Sequence, residues 1–126
     1  MTEKKKNVLI IEDEKMLSEM YKTKFEMEGF AVKQSFDGKD GLEKAKSGKP
    51  DIVLLDIILP KLDGFLVLKE LKEDPAMKKT PVLLLTNLGQ DDDIKKGKSL
   101  GADGYFVKAN HSPAEIVEQV RRQLKK

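Results

Sequence analysis

Acidic, hydroxyl and ammonium side chains stand at the ends of four apolar runs in this sequence. The clearest case is Asp56, which ends the run Ile52 to Leu55 and is followed by further apolar residues as far as Leu59. Because desolvating an unpaired carboxylate is costly, a chain that only buried apolar surface would not place an acid there. The comparable positions are Glu12 and Asp13 after Val8 to Ile11, Thr86 after Val82 to Leu85, and Lys108 at the end of Gly104 to Lys108.

Three carboxylates brought together need a compensating charge. At about 4 Å in an effective dielectric of about 20, each pair repels by about 4 kcal/mol, so protons or a cation must neutralise them. Mg²⁺ prefers carboxylate, water and phosphate oxygens, whereas Zn²⁺ prefers Cys and His, of which the chain has none and one. Lys108 adds a fixed cation and Thr86 a hydrogen-bond donor, and both suit phosphoryl oxygens. The residue types therefore indicate a magnesium site for a phosphorylated group.

Five segments of the chain have the composition of strands. Three apolar runs rich in Val, Ile and Leu are typical of strands covered on both faces, in the middle of a parallel sheet. Two runs with more polar residues, Ala31 to Phe36 and Gly104 to Lys108, suit the edges of the sheet. The three central runs are Val8 to Ile11, Ile52 to Leu55 and Val82 to Leu85.

The segments between the strands have helical periodicity. Apolar residues recur at helical spacing in each of the first three connections, at Leu17, Tyr21 and Phe25, then at Leu42 and Ala45, then at Phe65, Leu68 and Leu71. A fourth helix is predicted around Asp91 to Leu100, poor in apolar anchors and with Gly97 inside it. The last helix has the clearest start signal, a capping box from Ser112 to Glu115 with Pro113 at the first helical position. Gly29 and Gly101 are predicted to end the first and fourth helices.

Five strands alternating with five helices predict a doubly wound α/β domain, because parallel strands need long crossovers. Strands 2 and 5 have fewer apolar residues than the others, and placing them at the edges fits the flavodoxin-like order 2-1-3-4-5. The residues alone leave the order of the inner three strands open. In this architecture ligands lie beyond the carboxyl ends of the strands, where the polar residues named above collect. We expect one domain over residues 7–126 and a flexible tail over residues 1–6.

Composition excludes several classes of function. The chain has 126 residues, a net charge of +2 and no cysteine, which removes disulfides, thiolate metal sites and Cys nucleophiles. Its short basic clusters are not interleaved with aromatic residues, so direct nucleic-acid binding is not expected. No apolar run approaches the roughly 20 residues of a membrane span, and we expect a cytoplasmic protein without membrane contact.

The constellation resembles the receiver domain of two-component response regulators, including stand-alone, chemotaxis-type regulators. The resemblance rests on Glu12-Asp13, Asp56, Thr86 and Lys108, together with the stretches DIILPKLDG after strand 3 and GADGYFVK at strand 5, and it covers essentially the whole chain. It implies a phosphorylation-dependent switch that is not a classical enzyme, although it would catalyse its own phosphoryl transfer.

The resemblance also implies a role for each residue. Asp56 would accept the phosphoryl group from a sensor histidine kinase or a phosphotransfer protein. Glu12, Asp13, Asp56 and the backbone carbonyl of Ile58 would hold Mg²⁺. Lys108 would pair with the phosphoryl group, Thr86 would hydrogen-bond it, and Tyr105 would turn inward. The surface of helix 4, strand 5 and helix 5 would then control a downstream protein or homodimerisation.

Two departures and several alternatives accompany this interpretation. Ala109 follows Lys108 where the family usually has proline, and Asn87 follows Thr86 where a smaller residue is common. A dehalogenase-type phosphatase would need an acid two residues after Asp56, where Ile58 stands. A nucleotide or flavin binder would need a phosphate loop instead of the acids after strand 1. A receiver-like scaffold or dimerisation module that is never phosphorylated remains the alternative.

Overall fold

The computed structural model describes residues 5–87 and 91–126. Within these residues the chain folds into five parallel strands in the order β2-β1-β3-β4-β5, which confirms the predicted fold and strand order. The strands are β1 (Asn7–Ile11), β2 (Ala31–Ser35), β3 (Ile52–Asp56), β4 (Val82–Thr86) and β5 (Gly104–Val107). The helices are α1 (Lys15–Met27), α2 (Gly38–Gly48), α3 (Gly64–Glu73), α4 (Asp91–Ser99) and α5 (Pro113–Leu124).

The central strands are buried on both faces, as their composition predicts. Every residue of β3 and β4 is buried, whereas β2 and β5 at the edges are mostly half-buried. The alternation of side chains along the strands divides the core into two layers. On one face the strands pack against α1 and α5, with Tyr21 and Phe25 at its centre. On the other face they pack against the α2 and α3 side, with Phe65 and Leu68 at its centre.

Local signals set the element ends. Ser112 accepts a hydrogen bond from the Glu115 N–H while the Glu115 side chain accepts one from the Ser112 N–H, so the predicted capping box is confirmed. Gly29 and Gly101 have φ angles of +92° and +98°, the left-handed conformation that favours glycine after a helix. Both predicted helix ends are therefore confirmed.

Several predicted boundaries differ from the structure by one residue. The first strand begins at Asn7, the second ends at Ser35 and the fourth helix ends at Ser99. Ser35 is the last residue of β2, and its hydroxyl donates to Asp40 in the first turn of α2.

The fifth strand also ends earlier than predicted. Lys108 lies outside β5, in a 3-10 turn over Lys108–Asn110, and no peptide bond among the described residues is cis. His111 is half-buried and not exposed as its loop position would suggest, because its ring packs edge-on against Phe106 with 5.3 Å between centroids.

Two further observations concern the predicted tail and membrane contact. Residues 1–4 of the predicted flexible tail lie outside the described residues, and the first strand begins at Asn7. None of the helices that the structure describes has the length and apolarity needed to cross a bilayer.

Candidate phosphoryl and metal site

The carboxyl ends of three neighbouring strands meet at one edge of the sheet. β1 lies between β2 and β3, and β3 pairs with β4 in a register that places Asp56 beside Leu85. Glu12 follows β1 directly, and its backbone N–H donates to the carbonyl of Ser35, which fixes the chain as it leaves the sheet. Strand order therefore brings Glu12 and Asp56, which are 44 residues apart in the chain, to one edge of the sheet, as the sequence predicted.

Three carboxylates converge there. Glu12, Asp13 and Asp56 each offer one oxygen, and these oxygens all lie within 4.8 Å of one another. Glu12 and Asp56 are only 3% and 7% exposed, whereas Asp13 is exposed. Oxygen ligands of this kind, with one side open to water, match the preference of Mg²⁺, so the donor set fits the metal that the residue types indicate.

Lys108 supplies the positive charge of the site. Its ammonium donates to Asp56 Oδ2 at 3.0 Å and forms a second, short ion pair with Glu12 Oε1. The Lys108 side chain is 7% exposed, so this is a buried ion pair and not a surface one. The sequence assigned Lys108 to a phosphoryl group, and its direct bridge between Glu12 and Asp56 was not foreseen.

Burial perturbs the ionisation of Glu12, Asp56 and Lys108. It raises the pKa of Glu12 to about 7, against the opposing effect of hydrogen bonds from Lys108 and the Glu14 N–H. It also raises the pKa of Asp56, although Lys108 and the backbone N–H groups of Ile57 and Ile58 oppose this shift. Burial alone would lower the pKa of Lys108, but the two carboxylates outweigh it and raise that pKa. A site with such perturbed acids is a candidate for chemistry.

The remaining predicted residues lie around this centre. Thr86 is fully buried at the end of β4, the strand next to Asp56. Ile58 is 64% exposed, and its backbone N–H hydrogen-bonds the Asp56 carboxylate. Asn87 is exposed.

Tyr105 lies within β5 and faces the fourth helix. It is half-buried, and a Cβ on Gly97 of α4 would lie 3.4 Å from its ring. Burial and the nearby Asp93 raise the pKa of the Tyr105 hydroxyl. The strand that ends beside the site and the helix of the proposed output surface therefore contact each other through this residue.

Gly64 is a site residue whose role the sequence did not reveal. A Cβ at this position would lie 2.2 Å from the backbone oxygen of Asp56 and 2.6 Å from Ile57 Cα. The Gly64 N–H also donates to the Ile57 carbonyl at 2.7 Å. In the sequence the dipeptide Asp63-Gly64 indicates only a turn, although a glycine eight residues after a candidate nucleophile was the available clue to a close backbone approach.

Comparison with known proteins agrees with this geometry. The family model of the response regulator receiver domain matches residues 8–121. The transcriptional regulator RpaA of Synechocystis is 39% identical over 91% of this chain, and the regulatory protein PhoP of Bacillus subtilis is 36% identical over 96%. The matches cover 46% and 49% of these proteins, so the chain spans about half the length of the curated relatives.

Solved structures give the same result. A putative response regulator from Chloroflexus aurantiacus superimposes with a TM-score of 0.91 at 28% identity, covering 98% of this chain and 100% of that one. The chemotaxis response regulator CheY4 of Vibrio cholerae superimposes with a TM-score of 0.88 at 27% identity, covering 94% of this chain and 98% of that one. The fold and the acidic edge define a two-component signalling domain. The chain belongs to the response regulator receiver domain family.

Proposed function

We propose that this receiver domain takes a phosphoryl group onto Asp56 from a sensor histidine kinase or a phosphotransfer protein. The observation that carries the proposal is the convergence of three carboxylate oxygens within 4.8 Å beside the Lys108 ammonium. An Asp56 oxygen would attack the phosphorus in line. The new O–P bond would form as the P–N bond of phosphohistidine breaks, and the bonding electron pair would leave with the imidazole nitrogen.

The residues around Asp56 suit the charges of this transfer. Glu12, Asp13, Asp56 and the carbonyl of Ile58 would hold Mg²⁺, which when bound offsets the negative charge of the acids and the phosphoryl oxygens. The backbone N–H groups of Ile57 and Ile58 favour the ionised form of Asp56, because they oppose the rise of its pKa. Lys108, now shared between Glu12 and Asp56, would turn to the phosphoryl group, and the Thr86 hydroxyl would donate to it.

The signal would leave through α4, β5 and α5. Gly97 is the one buried residue of α4, so the helix is held by few apolar contacts. A Cβ on Gly97 would meet Leu84 and Tyr105, so α4 approaches the sheet closely there and a movement of Tyr105 would reach it. Weakly anchored elements are the ones that shift most readily. We propose that this surface binds a downstream protein or a second copy after phosphorylation.

Incubation with acetyl phosphate and Mg²⁺ tests the acceptor. We expect intact-mass measurement to show the added mass of one phosphoryl group, and Asp56→Asn to abolish it because the amide is a poor nucleophile. Asp51→Asn is the matched control, because Asp51 directly precedes the first residue of β3 and lies at the other end of the strand from Asp56. This variant should be phosphorylated like the parent. An adduct that survives Asp56→Asn, or that never forms in the parent, would favour the unphosphorylated scaffold.

Metal binding should depend on pH because of Glu12. With a pKa of about 7, ionised Glu12 rises from about one tenth to about nine tenths of the molecules between pH 6 and pH 8. Protons compete with the cation for this carboxylate, so Mg²⁺ affinity should rise roughly tenfold over that interval. Isothermal titration calorimetry measures it. Glu12→Gln should bind more weakly with a flatter profile, and equal affinity of the parent at both pH values would contradict the assignment.

A further inference from the structure

The outer face of α1 carries a row of exposed methionines. Met16, Met20 and Met27 are 82%, 52% and 73% exposed. They line a shallow, mostly apolar groove to which Pro113 of α5 also contributes. The opposite face of α1 supplies Tyr21 and Phe25 to the core, and none of the three methionines belongs to either core layer. An apolar row of this size on an otherwise charged surface is typical of an interaction site.

The row has the spacing of a helix that pairs with another helix. Met16, Met20, Thr23 and Met27 follow each other at intervals of four, three and four residues, which is the alternation of the two seam positions in a heptad. Such a seam normally needs several heptads, because short helices are unstable alone. Here α1 is already held in place by the domain, so pairing need not supply the free energy of helix formation. We call these four residues the methionine seam.

Charges beside the seam distinguish the possible occupants. Glu19 and Lys24 lie on its two opposite flanks, five residues apart, at the positions that face each other between two parallel helices. A second copy running parallel would place Glu19 of each chain beside Lys24 of the other, which gives two identical ion pairs around a two-fold axis. An antiparallel copy would instead bring like charges together on both flanks.

Lys24 can turn toward a second copy at little cost. It now pairs with Glu28 at 3.4 Å, and both side chains are about one third exposed. Glu28 also accepts from Arg121 at 2.9 Å, so it would keep a cation if Lys24 changed partner. Exposed pairs of this kind contribute only about 0.2 to 1 kcal/mol, so the exchange costs little.

We propose that the methionine seam is a homodimerisation surface, in which two copies pair through parallel α1 helices with Glu19 opposite Lys24 of the second copy. A contact of this length buries less than the roughly 1,200 Å² of a stable interface, so the dimer is weak and forms as concentration rises. Apart from Pro113 at the start of α5, it uses no residue of the phosphoryl site or of the α4, β5 and α5 surface. The proposal therefore does not rest on the proposed function.

Sedimentation equilibrium of the full chain without any phosphoryl donor tests the pairing. The weight-average mass of the parent should rise from monomer toward dimer with concentration. Glu19→Lys or Lys24→Glu alone should weaken association roughly tenfold, because each places two like-charged pairs across the axis, and the double reversal should restore it. Glu43→Lys on α2 and Lys69→Glu on α3 are matched controls, since both residues are exposed away from α1, and should leave association unchanged.

A single introduced cysteine tests the parallel register. The chain has no cysteine, so Thr23→Cys gives one thiol, which would face its own copy across the two-fold axis within disulfide reach. We expect oxidation to produce a covalent dimer for Thr23→Cys and none for the control Glu43→Cys. A monomeric mass for the parent at every concentration would overturn the proposal, as would a double reversal that fails to restore association.

Discussion

Gly64→Ala is expected to destabilise the domain by at least about 3 kcal/mol, because its methyl group would collide with backbone. The Cβ would lie 2.2 Å from the Asp56 oxygen and 2.6 Å from Ile57 Cα, and neither can move without displacing the end of β3. A typical domain has only about 5 to 15 kcal/mol of stability, so this is a large share. The variant should also be phosphorylated more slowly, because its acceptor is displaced. Urea denaturation and acetyl phosphate labelling measure the two effects.

Gly48→Ala is the matched control. It lies at the end of α2, and its added Cβ would meet only the flexible Lys33 ammonium at 3.8 Å. This substitution should be neutral or stabilise by about 0.4 to 1 kcal/mol, because alanine reduces the freedom of the unfolded chain. Equal effects of the two substitutions would show that the close approach at Gly64 does not constrain the β3–α3 connection.

Lys108→Met should produce the second large effect, a loss of about 3 kcal/mol at pH 8 in EDTA. Breaking a buried ion pair leaves its acids without a counter-charge, which commonly costs about 3 to 5 kcal/mol. Glu12 already has its pKa raised from 4.5 to about 7, and the loss of Lys108 would raise it further. When a carboxyl has a higher pKa in the folded than in the unfolded state, the protein loses stability as the pH rises from the unfolded pKa through the folded one. The destabilisation by Lys108→Met should therefore be smaller at pH 5 than at pH 8. Urea denaturation at both pH values measures it.

Two further measurements separate charge from packing at Lys108. Adding Mg²⁺ should stabilise Lys108→Met more than the parent, because the cation replaces the missing ammonium. The double variant Lys108→Met with Glu12→Gln should recover part of the loss at pH 8, because one of the uncompensated acids is gone. An identical loss at pH 5 and pH 8 would mean that the contribution of Lys108 is steric.

Much of the fold followed from burial alone. The runs of β1, β3 and β4 are apolar without alternation because helices cover both faces of the sheet, and that pattern is readable without coordinates. Once the strands are parallel, their carboxyl ends must lie at one edge. The grouping of Glu12, Asp13 and Asp56 could therefore be predicted from residues that are far apart in the chain.

Contacts that depend on side-chain direction could not be predicted. Lys108 pairs with Glu12, which is 96 residues away in the chain, and it lies in the 3-10 turn that follows β5. A sequence shows that a lysine follows the strand but not whether it turns toward one acid, two acids or water. The same holds for Gly64, whose closeness to Asp56 is a property of the folded loop.

The sheet also acts as a partition. Phe25 and Ile116 lie in one core layer and Phe65 and Leu68 in the other, and the strands contribute to each layer through alternate side chains. Substitutions placed in opposite layers share few neighbours, so their effects on stability should be close to additive. The α1 side can therefore acquire new binding specificity by mutation while the α4 side keeps its own.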